Sequence, residues 1–423
     1  MSGRLATQDS DARDATSPAR ARFAVRRLTL TDFRSYGALR LDLDPGMLVI
    51  TGANGVGKTN LLEAVSLLVP GKGLRGARLG DLAKHAPGAA GTAPGAPRAA
   101  GWAVAARVDG PQGPSDVGTG WQGGAETDTE FENGGQAARR TVRIDGETQR
   151  GQSQLTGVMS AYWLTPQMDR LFQDGAGARR RFLDRMVFGW DPAHAGRVAA
   201  YEQAMRERAR LLRGERTNNR QGDRAPDPGW LNALEETMAT KGIAISVARQ
   251  DVAGRLAHAA AEGWGPFPGA EVALIGDVET WLANGPALAA EDAFRAALAA
   301  ARADDARSGR TSAGPQKSDL VVRHGPKGQD AALCSTGEQK ALLIGLVLAN
   351  ARTRAAEDGG LPVLLLDEVA AHLDEHRRAA LFEALDEIGG QVWMTGTEVD
   401  LFRPLQGAAQ FLSVADGGAI TLN

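Results

Sequence analysis

Apolar residues gather in short uninterrupted runs at 48–50, Ala161–Leu164, Val363–Leu366 and 392–394, the last preceded by Gln391. Runs this short with no polar interruption read as core strands, covered on both faces. A second texture is strict alternation. Val25, Leu28, Leu30 and Phe33, then Leu39, Leu41 and Leu43, predict a hairpin turning near 35–37, with a further turn at Asp44-Pro45-Gly46. Residues 102–108 and 139–144 also alternate, and Asp145-Gly146 is a hairpin turn signal, so an antiparallel subsheet is expected there. The Ala/Pro/Gly-rich stretch 86–100 and the Gly-rich acidic stretch 110–135 read as loops at hairpin tips.

The remaining texture is helical. Leu61, Leu62, Ala64 and Val65 begin one apolar stripe, and another runs from about 336 through Leu348. Between about 197 and 307, Leu231, Leu234, Met238, Ile245, Val252 and Leu256 recur near helical spacing, with Gly242 as a weak point. No sustained heptad repeat appears, which excludes a long coiled coil. The pattern divides the chain into a polar disordered tail (1–21), a first α/β part (22–175), a helical lobe (176–307) and a second α/β part (308–423).

Chemistry enters directly after the first core strand. Gly52, Ala53, Asn54, Gly55, Val56, Gly57, Lys58, Thr59 and Asn60 carry the spacing G-x-x-x-x-G-K-T between a strand and a helix, the context a P-loop requires. Backbone N–H groups at the helix start would cradle phosphates, Lys58 would bridge the β and γ phosphates, and the Thr59 hydroxyl would ligate Mg²⁺. After 363–366, Asp367 and Glu368 place two carboxylates at the end of a buried strand, the Walker B arrangement: Asp367 for Mg²⁺ and Glu368 to polarise the attacking water. Gln167, after the strand Ala161–Leu164, is placed to reach the metal and the water. Ser335 and Gly337 open the helix that follows, as a second anion site or as an ordinary capping box with Glu338. Asp374 stands where a D-loop would cross a dimer interface. Arg34, between Phe33 and Tyr36, reads either as a contact to the nucleotide base and ribose or as a strand end whose aromatics enter the core.

Composition narrows the setting. The 423 residues allow two or three domains, and the single cysteine precludes an internal disulfide. No run approaches the ~18 apolar residues of a membrane span, and the N-terminus lacks the apolar core of a signal peptide. A cytoplasmic protein is expected. With a formal charge of −3, any nucleic-acid contact must come from a local basic face. The candidates are Arg139, Arg140 and Arg143 on one strand, and Arg179, Arg180 and Arg181 at the start of the lobe. A further run, Arg206, Arg208, Arg210, Arg213 and Arg216, reads as a solvated face or a second basic one.

The order of these motifs selects a class. Lys58 and Asp367 are too far apart for a compact GTPase or kinase fold, and a signature loop shortly before Walker B is the order of an ABC-type ATPase head. The expected fold is therefore α/β: a P-loop head with a mixed sheet and an antiparallel subsheet, interrupted by a helical lobe. The ATP-binding subunit of a transporter and an SMC-like scaffold are the alternatives; the long helical lobe counts against the first and the missing coiled coil against the second.

Phe33-Arg34-Ser35-Tyr36, GANGVGKTNLLEA, RRRFLD at 179–184, Gly314-Pro315, STGEQ and LLLDEVAAHLD follow one another as in the RecF family of bacterial recombination mediators, which this chain resembles over nearly all of its length after residue 22. The resemblance implies a weak, DNA-stimulated ATPase that dimerises through ATP and binds gapped or double-stranded DNA. It also implies action with RecO and RecR in gap repair, fork maintenance and the SOS response, and a place at the nucleoid. The chain departs from the family pattern at 316–319, at Gln167, and at Gly73-Leu74-Arg75.

Overall fold

The computed structural model describes residues 22–84, 99–123, 140–214, 228–357, 360–415 and 418–422. The chain opens with a hairpin, β1 (Ala24–Phe33) and β2 (Tyr36–Asp42), enters the centre as β3 (Met47–Thr51) and passes into helix α1 (Lys58–Ser66). Strands β4 (Gly101–Gly110), β5 (Gly113–Gln122), β6 (Thr141–Ile144) and β7 (Glu147–Thr148) follow before β8 (Ala161–Leu164) returns to the centre. Next come α2 (Ala176–Trp190), α3 (His194–Leu212), α4 (Pro228–Ala260), strand β9 (Ala270–Ile275), α5 (Asp277–Asn284), α6 (Ala287–Ala300) and α7 (Arg302–Ser308). The last part holds β10 (Asp319–His324), β11 (Gln329–Asp330), α8 (Thr336–Ala356), β12 (Val363–Leu366), α9 (Glu375–Ile388), β13 (Val392–Gly396), β14 (Ala409–Val414) and β15 (Ile420–Leu422).

All four uninterrupted apolar runs lie in one sheet, ordered β15-β14-β3-β13-β12-β8 and parallel from β14 to β8. Their lack of polar residues follows from burial on both faces. Val49, Leu364, Leu366, Val392 and Met394 join a core built with α2, α4, α8 and α9. Leu48, Ile50, Val363, Leu365 and Trp393, the alternate positions, join a second core with α1 and the antiparallel sheet β2-β1-β4-β5-β6-β7. Period-two side-chain alternation thus splits each run between two layers.

Two expectations need correction. The stretch 110–135 is not all loop: Gly113–Gln122 pairs with the whole of β4, from Gly110↔Gly113 to Gly101↔Gln122. Its alternation survives in the buried Val117 and Thr119, but glycines mask it. Gly120 sits so close to β4 that a Cβ would come 2.8 Å from the Trp102 carbonyl oxygen. Secondly, the lobe is not purely helical. β9 pairs along its full length with β10, so a sheet bridges the expected boundary at 307–308. Most of 86–100 and Arg216 lie outside the described residues.

The arginines also find other uses. Arg140 is buried; its guanidinium donates to the carbonyls of Gly71 (2.8 Å), Leu67 (2.9 Å) and Val69 (3.2 Å), pinning the chain just beyond α1 to the antiparallel sheet. Burial pushes its pKa down to about 10. A side chain committed in this way cannot meet a DNA phosphate. Arg179 pairs in a fork with Asp319 (2.7 and 2.8 Å), and Arg180 donates to the Ser318 carbonyl at 2.6 Å, so both hold the 315–319 loop instead of forming an open basic face. Arg208 is fully buried between Glu235 (2.9 Å) and Asp305 (2.6 Å). Arg143 and Arg181 are exposed, and Arg139 lies outside the described residues.

Asp184, the acid of RRRFLD, is the hub of the lobe. It receives a fork from Arg249 of α4 (2.7 and 2.8 Å) and hydrogen-bonds His194 Nε2 of α3 at 2.8 Å, while Arg249 also reaches the Pro315 carbonyl at 2.7 Å. The loop that departs from the family pattern is held from the same side. Gln316 accepts from Tyr201, and Ser318 Oγ donates to Glu279 at 2.7 Å.

Two outcomes are expected. Arg140→Met strands three carbonyls and should lower the unfolding free energy by roughly 2–4 kcal/mol in denaturant titration; an unchanged midpoint would contradict the pinning role. For Asp184, burial raises the pKa, but Arg249 and His194 outweigh it and hold the carboxyl at about 2. Its folded pKa is depressed, so its contribution of about 2 kcal/mol is present above pH ~4 and lost as pH falls toward 2. Asp184→Asn should flatten the stability profile in that window, and an identical acid limb in both proteins would refute this.

Candidate nucleotide-binding site

The site forms where β3, β13 and β12 end side by side. β3 is buried along its whole length, and the chain leaves it through glycines that nothing else could replace. Gly52 has φ 149°, and a Cβ there would stand 2.2 Å from the Val414 carbonyl oxygen. Gly57, at φ 114°, is the N-cap of α1, and a Cβ would meet Ser35 Oγ at 2.6 Å. Ala53, Asn54 and Gly55 form the exposed rim of the loop, and Val56 is buried beneath it. No acidic residue occupies the first turn of α1, so the positive end of its dipole is left for an anion.

Lys58 is 5% exposed, and its Nζ donates to the carbonyls of Gly52 (2.8 Å) and Ala53 (3.0 Å) inside the loop. It lies 3.4 Å from Glu368 Oε1, so the P-loop lysine and the second carboxylate share one space. Thr59 Oγ1 donates to Asp367 Oδ1 at 2.9 Å, joining the first helix of the head to the end of β12. A residue without a role in the sequence reading, Thr395 at the end of β13, completes the cluster. Its Oγ1 donates to Asp367 Oδ1 at 2.8 Å and accepts the Glu368 N–H at 2.9 Å. The signal for it was a polar residue closing a buried strand between the two motif-bearing strands.

A hydroxyl and one carboxylate are the hard oxygen donors that suit a magnesium ion, which takes few protein ligands and completes its shell with phosphate and water.

The Phe33–Tyr36 hairpin supports the loop from behind. Phe33 and Tyr36 enter the core, and the Tyr36 hydroxyl donates to the Gly57 carbonyl at 3.1 Å. Arg34, at φ 54°, forms a fork with the buried Glu63 of α1 (2.8 and 2.9 Å) and donates to the Asp81 carbonyl; its guanidinium is engaged there and not displayed for a base. Arg75 donates to the same Glu63 (3.0 Å) and to Asn60 Oδ1 (2.8 Å), and Asn60 Nδ2 donates to Ser35 Oγ (3.0 Å). Arg34, Asn60 and Arg75 thus buttress the P-loop helix.

The other candidates sit apart from this cluster. Ser335 caps α8 in a full capping box with Glu338, and Lys327 together with the Ser335 groups draws the Glu338 carboxyl down to about 2. Ser335 and Gly337 are exposed, and no hydrogen bond among the described residues ties them to the P-loop. Asp374 is the exposed N-cap of α9, accepting the Arg377 N–H at 2.8 Å. Gln167 is exposed after β8 and forms no hydrogen bond with Asp367 or Glu368. Nearby, Asp169 pairs with Lys340 of α8 at 3.3 Å.

The chain is similar to known proteins along nearly all of its length. Residues 24–412 match the family model described as RecF/RecN/SMC N terminal domain. The chain is 47% identical over 395 residues to the DNA replication and repair protein RecF of Mesorhizobium japonicum, covering 93% of this chain and 96% of that one. It is 47% identical over 396 residues to the protein of the same name from Rhizobium etli, covering 93% and 98%. Among solved structures, one described as the recombination mediator protein RecF-ATPrS in the RecFOR pathway superposes with a TM-score of 0.76 at 18% identity, over 95% of this chain and 99% of that one.

Proposed function

This chain belongs to the RecF family, and from that premise we propose that it is an ATP-driven DNA-binding switch of replication and repair. The observation that carries the reading is the convergence of Lys58, Thr59, Asp367 and Glu368 at one sheet edge, through contacts of 2.9 Å (Thr59–Asp367) and 3.4 Å (Lys58–Glu368).

The triphosphate lies over residues 52–60. Loop N–H groups and the end of α1 take its β and γ oxygens, and Lys58 neutralises their charge. Thr59 and Asp367 would hold a magnesium ion, which would offset the charge developing on the phosphates. Glu368 shares its space with Lys58, and so with the γ-phosphate. It takes a proton from the attacking water as the water oxygen bonds to γ-phosphorus and the bridging β–γ oxygen leaves with ADP.

Ser335, Gly337 and Asp374 are exposed and uncommitted to the P-loop of their own chain, so they are free to cap a triphosphate held by a second copy. DNA backbone contacts fall to exposed arginines such as Arg143 and Arg181 and carry no base readout. Partnership with RecO and RecR at single-strand gaps, a role in the SOS response and a nucleoid location complete the reading by family resemblance.

Two variants test it. Lys58→Met should weaken ATP binding roughly 10- to 150-fold, the weight of one charge-assisted contact, in an equilibrium titration with a fluorescent ATP analogue. Wild-type affinity in that variant would end the P-loop assignment. Glu368→Gln should keep ATP affinity within a few-fold and slow turnover by about 10²–10⁴, with the ATP-bound dimer accumulating in sedimentation. Normal hydrolysis by this variant would place the base elsewhere.

A further inference from the structure

Thr395 is 1% exposed and belongs to β13, the strand between β3 and β12. Met394 pairs with Leu366 in register, so Thr395 comes level with Asp367, one residue beyond the end of β12. Alternation along both strands turns these two side chains away from the helical core that takes Met394 and Leu366, toward the side of α1 and Thr59. A threonine hydroxyl has one proton to give and two lone pairs. Here the proton goes to Asp367 Oδ1 and a lone pair receives the Glu368 N–H. Glu368 has φ 53°, a left-handed backbone that residues with a side chain adopt rarely and at a cost. The peptide that must be held for this conformation is the one tied to Thr395.

We infer that Thr395 is a positioning residue for hydrolysis. Its hydroxyl fixes the angle at which Glu368 leaves β12 and at the same time orients the Asp367 carboxylate, so one side chain on a neighbouring strand sets the relative placement of both acids. Thr395 itself makes no contact in the reaction. The inference rests on the reading of Glu368 as the base that activates water.

The test compares Thr395→Val, which keeps the shape and removes the hydroxyl, with Thr395→Ser, which keeps the hydroxyl. Thr395→Val should lower kcat roughly 10- to 100-fold, the weight of one or two hydrogen bonds at the transition state. Affinity for the fluorescent ATP analogue, measured without added divalent cation, should stay within about 3-fold, because the triphosphate contacts lie on the loop. Thr395→Ser should recover the rate to within about 3-fold of wild type. Full turnover by Thr395→Val, or a serine variant as slow as the valine, would overturn the inference. If the valine variant folds poorly, the comparison of Thr395→Ser with Thr395→Ala repeats the test, and equal rates in that pair count against it. Glu368→Gln run alongside separates the two readings: normal hydrolysis there removes the base assignment, whereas a slow Glu368→Gln with a fast Thr395→Val removes only the role of Thr395.

Discussion

The hydrogen bond from Thr59 to Asp367 is where the two ends of the head meet, and the nucleotide edge depends on it. One partner follows the first core strand and the other the twelfth strand, with four strands of the antiparallel sheet and the whole lobe between them in sequence. The two ends come together because β3, β13 and β12 are all buried on both faces and can sit only in the middle of a layered stack. Burial fixes their order and alternation fixes which side chains face α1. The polar residues at the strand ends are then brought within hydrogen-bonding distance without a loop having to find its place.

The same economy governs the arginines. A protein of negative net charge carries several clusters that look like nucleic-acid surface, yet several of the clustered guanidiniums described serve internal joints. Arg140 terminates the P-loop helix, Arg179 and Arg180 hold the 315–319 loop, Arg249 clasps Asp184, and Arg208 links Glu235 to Asp305. Leaving any of these charges unpaired in the interior would be costly, which makes each a specific constraint on how lobe and head fit.

The central strands and the P-loop were legible because their signals are local: unbroken apolar runs, glycines at fixed spacing, carboxylates closing a strand. The partners of the arginines were not, because a charge run reads alike whether its partner is water, phosphate or a carbonyl seventy residues away. Arg140 and Arg179 read as candidate DNA contacts for this reason, and the structure commits both to internal partners. β5 was hidden by the glycines that let it approach β4, and β9 by its place among helices. Thr395 was passed over because it ends a strand that carries no motif of its own. The departures at 73–75 and 316–319 became interpretable only with their contacts in view: Arg75 on Glu63, Gln316 with Tyr201, Ser318 on Glu279.

The pairing of β9 with β10 has a mechanical meaning. β9 issues from the lobe after α4, while β10 leads through β11 to Ser335 and the start of α8. Asp319, the first residue of β10, is also gripped by Arg179 of α2. Six paired residues make a stiff arm of about 20 Å, with Arg179 of α2 at the Asp319 end and the short β11 following the other end. Six consecutive backbone pairs resist shear far better than an open loop of the same length, so the lobe and the segment that leads to α8 are tied together as one piece.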